Sequence, residues 1–233
     1  MNKFATGFKD GIPIGLGYLS VSFTFGMMAA KGGLSILQAV FISLTNVTSA
    51  GQLAGLNLML AGAPLFEVAL TQLVINIRYA LMSLSLSQKV DGSMTAGRRM
   101  FFSFCNTDEV FAVSSGKDGK VGWNYLAALM IAPYTGWAVG TLLGATAGTL
   151  LPDMLRDALG VAIYGMIIAI IIPPSKKNKS VCVCVILAAI LSCILYYTPG
   201  LKNISSGFAI IICAVAVSAL CAKFFPIKEE EEA

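Results

Sequence analysis

The chain has 233 residues, 57% of them hydrophobic and only 12% charged, with a mean hydropathy of +0.80, a balance that marks an integral membrane protein and excludes a soluble globular domain. Sixteen Lys and Arg against 12 Asp and Glu give a net charge of +4; bilayer proteins use such an excess for orientation, so it points to no nucleic-acid partner. Histidine is absent, which removes the commonest general base and zinc ligand and argues against His-dependent or metalloprotease-like chemistry.

The N-terminal stretch carries Lys3 and Lys9 before an apolar run. That run is close to bilayer length, rich in glycine and followed by further spans, so it reads as a retained first helix and not as a cleaved signal. A window of roughly 20 apolar residues predicts spans near 12–30, 35–61, 64–86, 122–150, 154–173, 180–197 and 203–224. The expectation is therefore an all-α, multi-pass membrane domain covering residues 1–233, with about seven transmembrane helices and an acidic tail over 225–233. The segment FFSFCNTDEVFAVS, 101–114, is too short and too polar for a span and reads as a re-entrant or interfacial piece.

With seven spans, the loops after spans one, three, five and seven hold eleven Lys and Arg against four on the other side. The positive-inside rule then places the N-terminus outside and the C-terminus inside; a true span at 101–114 would reverse one half. GYLSVSFTFGMMAA and YTGWAVGTLLGATAG open similar glycine-rich segments, which suggests inverted repeats over about 8–88 and 120–198. Gly15, Gly17, Gly140, Gly144 and Gly148 would serve close helix packing in either case. The six cysteines, at 105, 182, 184, 193, 213 and 221, lie mostly in apolar runs without CxxC spacing and read as small hydrophobic residues.

Polar residues interrupt the spans where lipid-facing helix should not be interrupted. Span two contains Asn46-Val47-Thr48-Ser49-Ala50-Gly51-Gln52. Either the helix unwinds there and restarts, so that free N–H groups face a cavity and suit a carboxylate, or Thr48 and Ser49 merely bond to the preceding turn or to a neighbouring helix. Span three holds Glu67, Gln72, Asn76 and Arg78. A guanidinium at a helix centre costs about 3 kcal/mol or more and cannot be neutralised. Arg78 must therefore pair with an acid such as Glu67 or Asp108, or clamp a substrate carboxylate. Glu67 lies three turns away on the same helix, too far to touch Arg78; near the membrane edge it reads as a solvated carboxylate, or as a proton- or ammonium-coupling acid. Thr107-Asp108-Glu109 is either a helix start with Thr107 as cap, or a cluster whose acids receive a substrate ammonium or carry the coupling proton. The tail IKEEEEA is a solvated end. No phosphate loop, nucleophile elbow or nucleotide fingerprint is present, and nothing calls for a cofactor or a metal.

FKDGIPIGLGYLSVSFTFGMMA, TSAGQLAGLN, LVINIRYALMSLSL and FCNTDEVFAV, in that order, resemble the large subunit of the AzlC-type branched-chain amino-acid permease family. The resemblance covers most of the chain to about residue 150 and is looser afterwards. It implies export of leucine, isoleucine, valine and methionine-like substrates across the bacterial cytoplasmic membrane, jointly with a small membrane subunit of the AzlD type. The family's asparagine-leucine-arginine element corresponds to Asn76, Ile77 and Arg78, and its threonine-acid-acid element to Thr107, Asp108 and Glu109. This chain has Leu53 after the glutamine, where the family often has an aromatic residue, and Tyr79 after the arginine, where the family often has histidine.

The expected site lies at the midplane. There the Asn46–Gln52 break, Asn76 and Arg78 would receive the carboxylate, Asp108 or Glu109 the amine, and Tyr18, Phe25 and Trp137 the branched side chain. Two rival classes share the same sequence: a channel-like permease for another small solute, and a structural subunit that transports nothing. An enzyme would need a nucleophile and a base, and none is arranged.

Overall fold

The structure, a computed structural model, describes residues 3–148, 150–152, 171–176, 178–201 and 204–225, with Met154, Val161, Gly165 and Ile168. The expected fifth span, most of its neighbourhood in the second expected repeat, and the acidic tail lie outside the described residues. Those described form helices, with no strand among them, and five helices are long and apolar enough to cross a membrane. The protein is therefore an all-α integral membrane protein. Its chain divides into two compact units, one of residues 1–56 and 76–164, the other of 57–75 and 165–233.

The first unit is built on α1 (Lys3–Lys31) and α7 (Trp123–Ala147). Glycines at four-residue spacing let their backbones touch. A Cβ on Gly7, Gly11 or Gly15 would run into the backbone carbonyls of Tyr125, Leu129 and Ala132, and one on Gly140 or Gly144 into those of Leu19 and Phe23. Residue numbers rise together on both helices, so the two run parallel. Gly17, expected at such an interface, has open space beside it.

Span two is not a span. It folds into α2 (Ile36–Thr45) and α3 (Ala50–Leu60), each about 15 Å long and too short for a bilayer core of ~30 Å. Ser43 meets Gln52, and Ala39 shares a core cluster with Leu56, Phe25 and Ala29, so α3 turns back along α2 as an antiparallel hairpin. Ser49, at the turn, has φ +36°, a left-handed conformation that a non-glycine side chain adopts at a cost.

A second hairpin follows α4 (Leu65–Lys89), formed by α5 (Ala96–Ser103) and α6 (Asp108–Ser115). Asn106, at the end of α5, bonds Ser83 of α4, while Arg99, in its first turn, reaches the carbonyl of Ser87. On α6, Asp108 pairs with Arg78 and the Ser115 carbonyl accepts from Lys89. Both short helices thus run along the same half of α4 in opposite directions, and the segment 101–114 enters and leaves on one side. This agrees with its reading as re-entrant.

Directions can now be assigned. Thr107 touches Tyr18 while Lys117 pairs with Asp10, so α6 is antiparallel to α1, and α4 is too. Each of α1 and α4 is followed by a hairpin that turns back at mid-depth, and the two sets point opposite ways. The N-caps Ser35 and Thr95, and the turn asparagines Asn46 and Asn106, stand sixty positions apart. The inverted relation seen here therefore joins 3–60 to 65–115.

This topology revises the orientation. Lys3, Lys9, Lys89, Arg98, Arg99, Lys117 and Lys120 belong to one end of the first unit and, of its described basic residues, Lys31 to the other. By the positive-inside rule the crowded end, and the N-terminus with it, is expected on the cytoplasmic side. The opposite expectation arose from counting span two as a crossing.

A buried relay holds the first hairpin. Trp137 Nε1 donates to Gln52 Oε1 (2.9 Å), Gln52 Nε2 donates to Ser43 Oγ (2.6 Å), and Ser43 Oγ lies 2.7 Å from Thr141 Oγ1. All four side chains are at most 1% exposed. Tyr134 donates to the carbonyl of Leu44 (3.1 Å), one of the acceptors left open where α2 stops.

In the second unit α8 (Lys179–Tyr197) and α9 (Ser206–Phe224) pack against each other, with Cys184 beside Cys221. The start of α9 meets the first turns of α4: Glu67 Oε1 accepts from Ser205 Oγ and from the Gly207 N–H (3.2 Å). A Cβ on Gly207 would crowd Glu67 and Thr71.

Two outcomes are expected. Gly144→Ala should lower stability by about 1–3 kcal/mol, read as earlier thermal unfolding in detergent, because Phe23's backbone cannot yield. In a variant without native cysteines, Lys31→Cys should react with an impermeant maleimide in intact cells, and Gly92→Cys and Lys120→Cys only after permeabilisation. Labelling of all three from one side would contradict the hairpin topology.

Candidate functional site

The two hairpin turns lie at one depth of α4. Asn76 faces the first and Arg78 the second, and two residues separate them by only about 3 Å along the helix axis. Each turn presents the N-terminus of a short helix, with its positive dipole end, toward the middle of the unit.

At the first turn, Asn46 caps α2 through its N–H to the Ile42 carbonyl (2.8 Å), and its Oδ1 accepts from Thr48 Oγ1 (2.5 Å). Thr48 therefore bonds within the turn, to neither the preceding helical turn nor a neighbouring helix. The Asn76 side chain lies over Gly51: a Cβ there would come within 2.8–2.9 Å of the amide atoms and 2.7 Å of Thr48 Oγ1. Glycine at 51 is what lets α4 bring an amide to the start of α3. No acid stands in this turn.

The second turn carries two acids. Thr107 occupies the N-cap position of α6 with extended backbone, yet its side chain makes no capping bond. Its Oγ1 accepts instead from the Tyr18 hydroxyl (2.7 Å), which also bonds Glu109. Asp108 forms an ion pair with Arg78, whose other terminal nitrogen donates to the Tyr79 hydroxyl (3.1 Å) and whose guanidinium stacks 4.7 Å from the Tyr79 ring centre. The Arg78 and Asp108 side chains are 41% and 30% exposed, so the pair is open on one side. Among the described residues, Glu109 is in no ion pair.

Tyr18 connects the two turns. Its ring packs edge-on against Trp137 at 5.1 Å, and Trp137 holds Gln52, next to Gly51. Of the expected residues, Asn46, Thr48, Ser49, Gly51 and Asn76 gather at the first turn, and Tyr18, Arg78, Asp108 and Glu109 at the second. Gln52 and Trp137 are taken up by the relay between them. Phe25 is buried in the cluster with Ala29, Ala39, Leu56 and Ala145. Glu67 belongs to the second unit, where it is 4% exposed and bonded to the start of α9; it is not the solvated edge carboxylate that its position suggested.

Four contributors escaped the sequence reading: Ser43, Tyr79, Asn106 and Thr141. Asn106 had a detectable signal. The pattern Ser35, Phe41, Ser43, Asn46 recurs as Thr95, Phe101, Ser103, Asn106.

The arrangement offers a hydrogen-bonding pole without acids at one turn and a pole with two carboxylates at the other, with a guanidinium between. A solute carrying one negative and one positive group fits that polarity.

Comparisons with known proteins agree with a membrane assignment. The chain is 28% identical over 196 residues to the inner membrane protein YgaZ of Escherichia coli K12, covering 81% of this chain and 80% of that one. An uncharacterized membrane protein of Helicobacter pylori J99 is 31% identical over 156 residues, 64% of this chain and 68% of its own. One from Archaeoglobus fulgidus is 29% identical over 181 residues, 76% and 78% of the two chains. No solved structure matches. The family model described as AzlC protein matches residues 13–151, which spans α1 to α7 and both hairpins, and the chain belongs to that family.

Proposed function

We propose that the protein is a secondary transporter that exports branched-chain amino acids, leucine, isoleucine and valine with methionine-like analogues, across the bacterial cytoplasmic membrane, working with a small AzlD-type membrane subunit. The observation that carries this reading is the open Arg78–Asp108 pair between two inverted hairpin turns. A zwitterionic amino acid supplies a carboxylate for the guanidinium and an ammonium for the acid, so it can replace the pair's internal contact at little electrostatic cost. The amides at the start of α3, with Asn76, support the carboxylate end, and Asp108 and Glu109 the amine end. Tyr18 and Trp137 are buried beside the second turn, so a branched side chain would reach them only by displacing part of that packing. Glu109 bonds the Tyr18 hydroxyl and, among the described residues, is in no ion pair, so it is a second carboxylate able to take up the ammonium or the coupling proton.

Counterflow of labelled leucine, valine, methionine and alanine in vesicles, with and without the small partner, tests the reading; leucine that moves in neither arrangement defeats it. Arg78→Lys keeps the charge but loses the planar two-point contact. It should abolish leucine export at unchanged protein level, and retained export would remove Arg78 from the clamp.

A further inference from the structure

We infer that the cleft between α1 and α6 at the cytoplasmic end of the first unit is a vestibule that docks a zwitterionic amino acid before it reaches the hairpin turns; this rests on the transport function proposed above. The cleft has a volume of about 700 Å³ and is lined by Lys9, Asp10, Pro13, Ala112, Gly116 and Lys117, among others. That size falls in the roughly 300–1,000 Å³ range of small-molecule pockets.

Its chemistry repeats that of the central pair. Asp10 Oδ2 lies 2.8 Å from Lys117 Nζ, and their side chains are 27% and 37% exposed, so water and solute reach both. The Tyr125 hydroxyl donates to the same carboxylate oxygen (2.8 Å), which fixes Asp10 at the rim, and Lys117 Nζ stands 5.5 Å over the Tyr125 ring. Pro13 lies inside α1 and has no N–H to give the carbonyl of Lys9 one turn back. The cleft wall offers an ammonium the Asp10 carboxylate. Lys117, with Lys9 beside it, offers a carboxylate its counter-charge.

The cleft also leads somewhere. Ala112 stands one helical turn beyond Asp108 on α6, and Pro13 five residues before Tyr18 on α1, so its inner wall ends beside the residues that bond at the second turn. Lys117 follows the end of α6 and Asp108 begins it: one short helix links two acid–base pairs of opposite polarity. A zwitterion leaving the outer pair meets the inner one at the far end of the same short helix, past Pro13, Ala112 and Val113.

The test is sided counterflow of labelled leucine in inside-out and right-side-out membrane vesicles containing the full chain. Asp10→Asn and Lys117→Gln should each raise the half-saturating concentration roughly tenfold when leucine is offered at the cytoplasmic face, with little change at the outer face. Ala112→Phe, which leaves the ion pair intact and narrows the cleft, should slow only the cytoplasmic-face reaction. Equal effects on both faces, or none in all three variants, would overturn the vestibule while leaving the transport function standing. Absence of leucine counterflow in the unaltered protein would defeat both.

Discussion

A backbone that leaves the helix at the depth of a membrane must find partners for its N–H and C=O groups inside the protein, since lipid offers none. The first unit satisfies this demand twice, at Asn46–Ser49 and at Phe104–Thr107, and several of its buried polar side chains serve it. Tyr134 reaches the Leu44 carbonyl, Asn46 holds Thr48, and Gln52 ties both arms of the first hairpin to α7. Tyr18 and Arg78 do the corresponding work at the second turn. The glycine contacts of α1 with α7 belong to the same solution, because closely spaced backbones bring Tyr18 of α1 beside the second turn while Trp137 and Thr141 of α7 bond the first hairpin.

The membrane class, the first, third, fourth, sixth and seventh spans, and the three polar clusters were legible in the sequence. Apolar length and the cost of buried charge mark them without reference to any neighbour. The hairpin at 35–61 was not. An apolar run long enough to cross and a run that turns back at its middle have the same hydropathy; what separates them is whether the turn finds partners, and Thr141 and Trp137 lie 98 and 85 residues from the Ser43 and Gln52 they bond. That one misreading inverted the orientation, because the parity of crossings decides on which side every later basic residue is counted. The pairing of Arg78 with Asp108 was open from sequence for a related reason. Asp108 and a substrate carboxylate were both able to meet Arg78, and only the fold shows Asp108 in place.

The two turns share a geometry but differ in chemistry. Sixty residues apart, Asn46 and Asn106 stand at corresponding places, yet the first helix start carries Ala50 and Gly51 where the second carries Asp108 and Glu109. Two unmodified helix N-termini brought to one depth would make a doubly positive centre suited to an anion. Placing two acids on one of them and a guanidinium beside it changes that centre into one with a positive and a negative pole. The divergence of the repeats is therefore what gives the site a direction, and a direction is what a zwitterion, unlike a simple anion, can read.

The same comparison separates the fixed from the movable parts. Along α1 and α7 the contacts are backbone against backbone, where a shift of even a methyl group is blocked by carbonyls that cannot rotate away. The second hairpin meets α1 and α4 through side chains: Tyr18 with Thr107 and Glu109, Arg78 with Asp108, Asp10 with Lys117, Lys89 with the Ser115 carbonyl. Apart from the buried Tyr18–Thr107 bond, these polar contacts are part exposed and have a competitor in water or in a charged solute. The hairpin is also seated on an apolar cluster in which Phe102, Cys105 and Val110 join Leu86, Val90, Leu126 and Leu129. If the unit opens, the difference in contact type makes α1 with α7 the frame and the hairpin that carries Asp108 and Glu109 the element that moves, so that the acids themselves travel with the change in access.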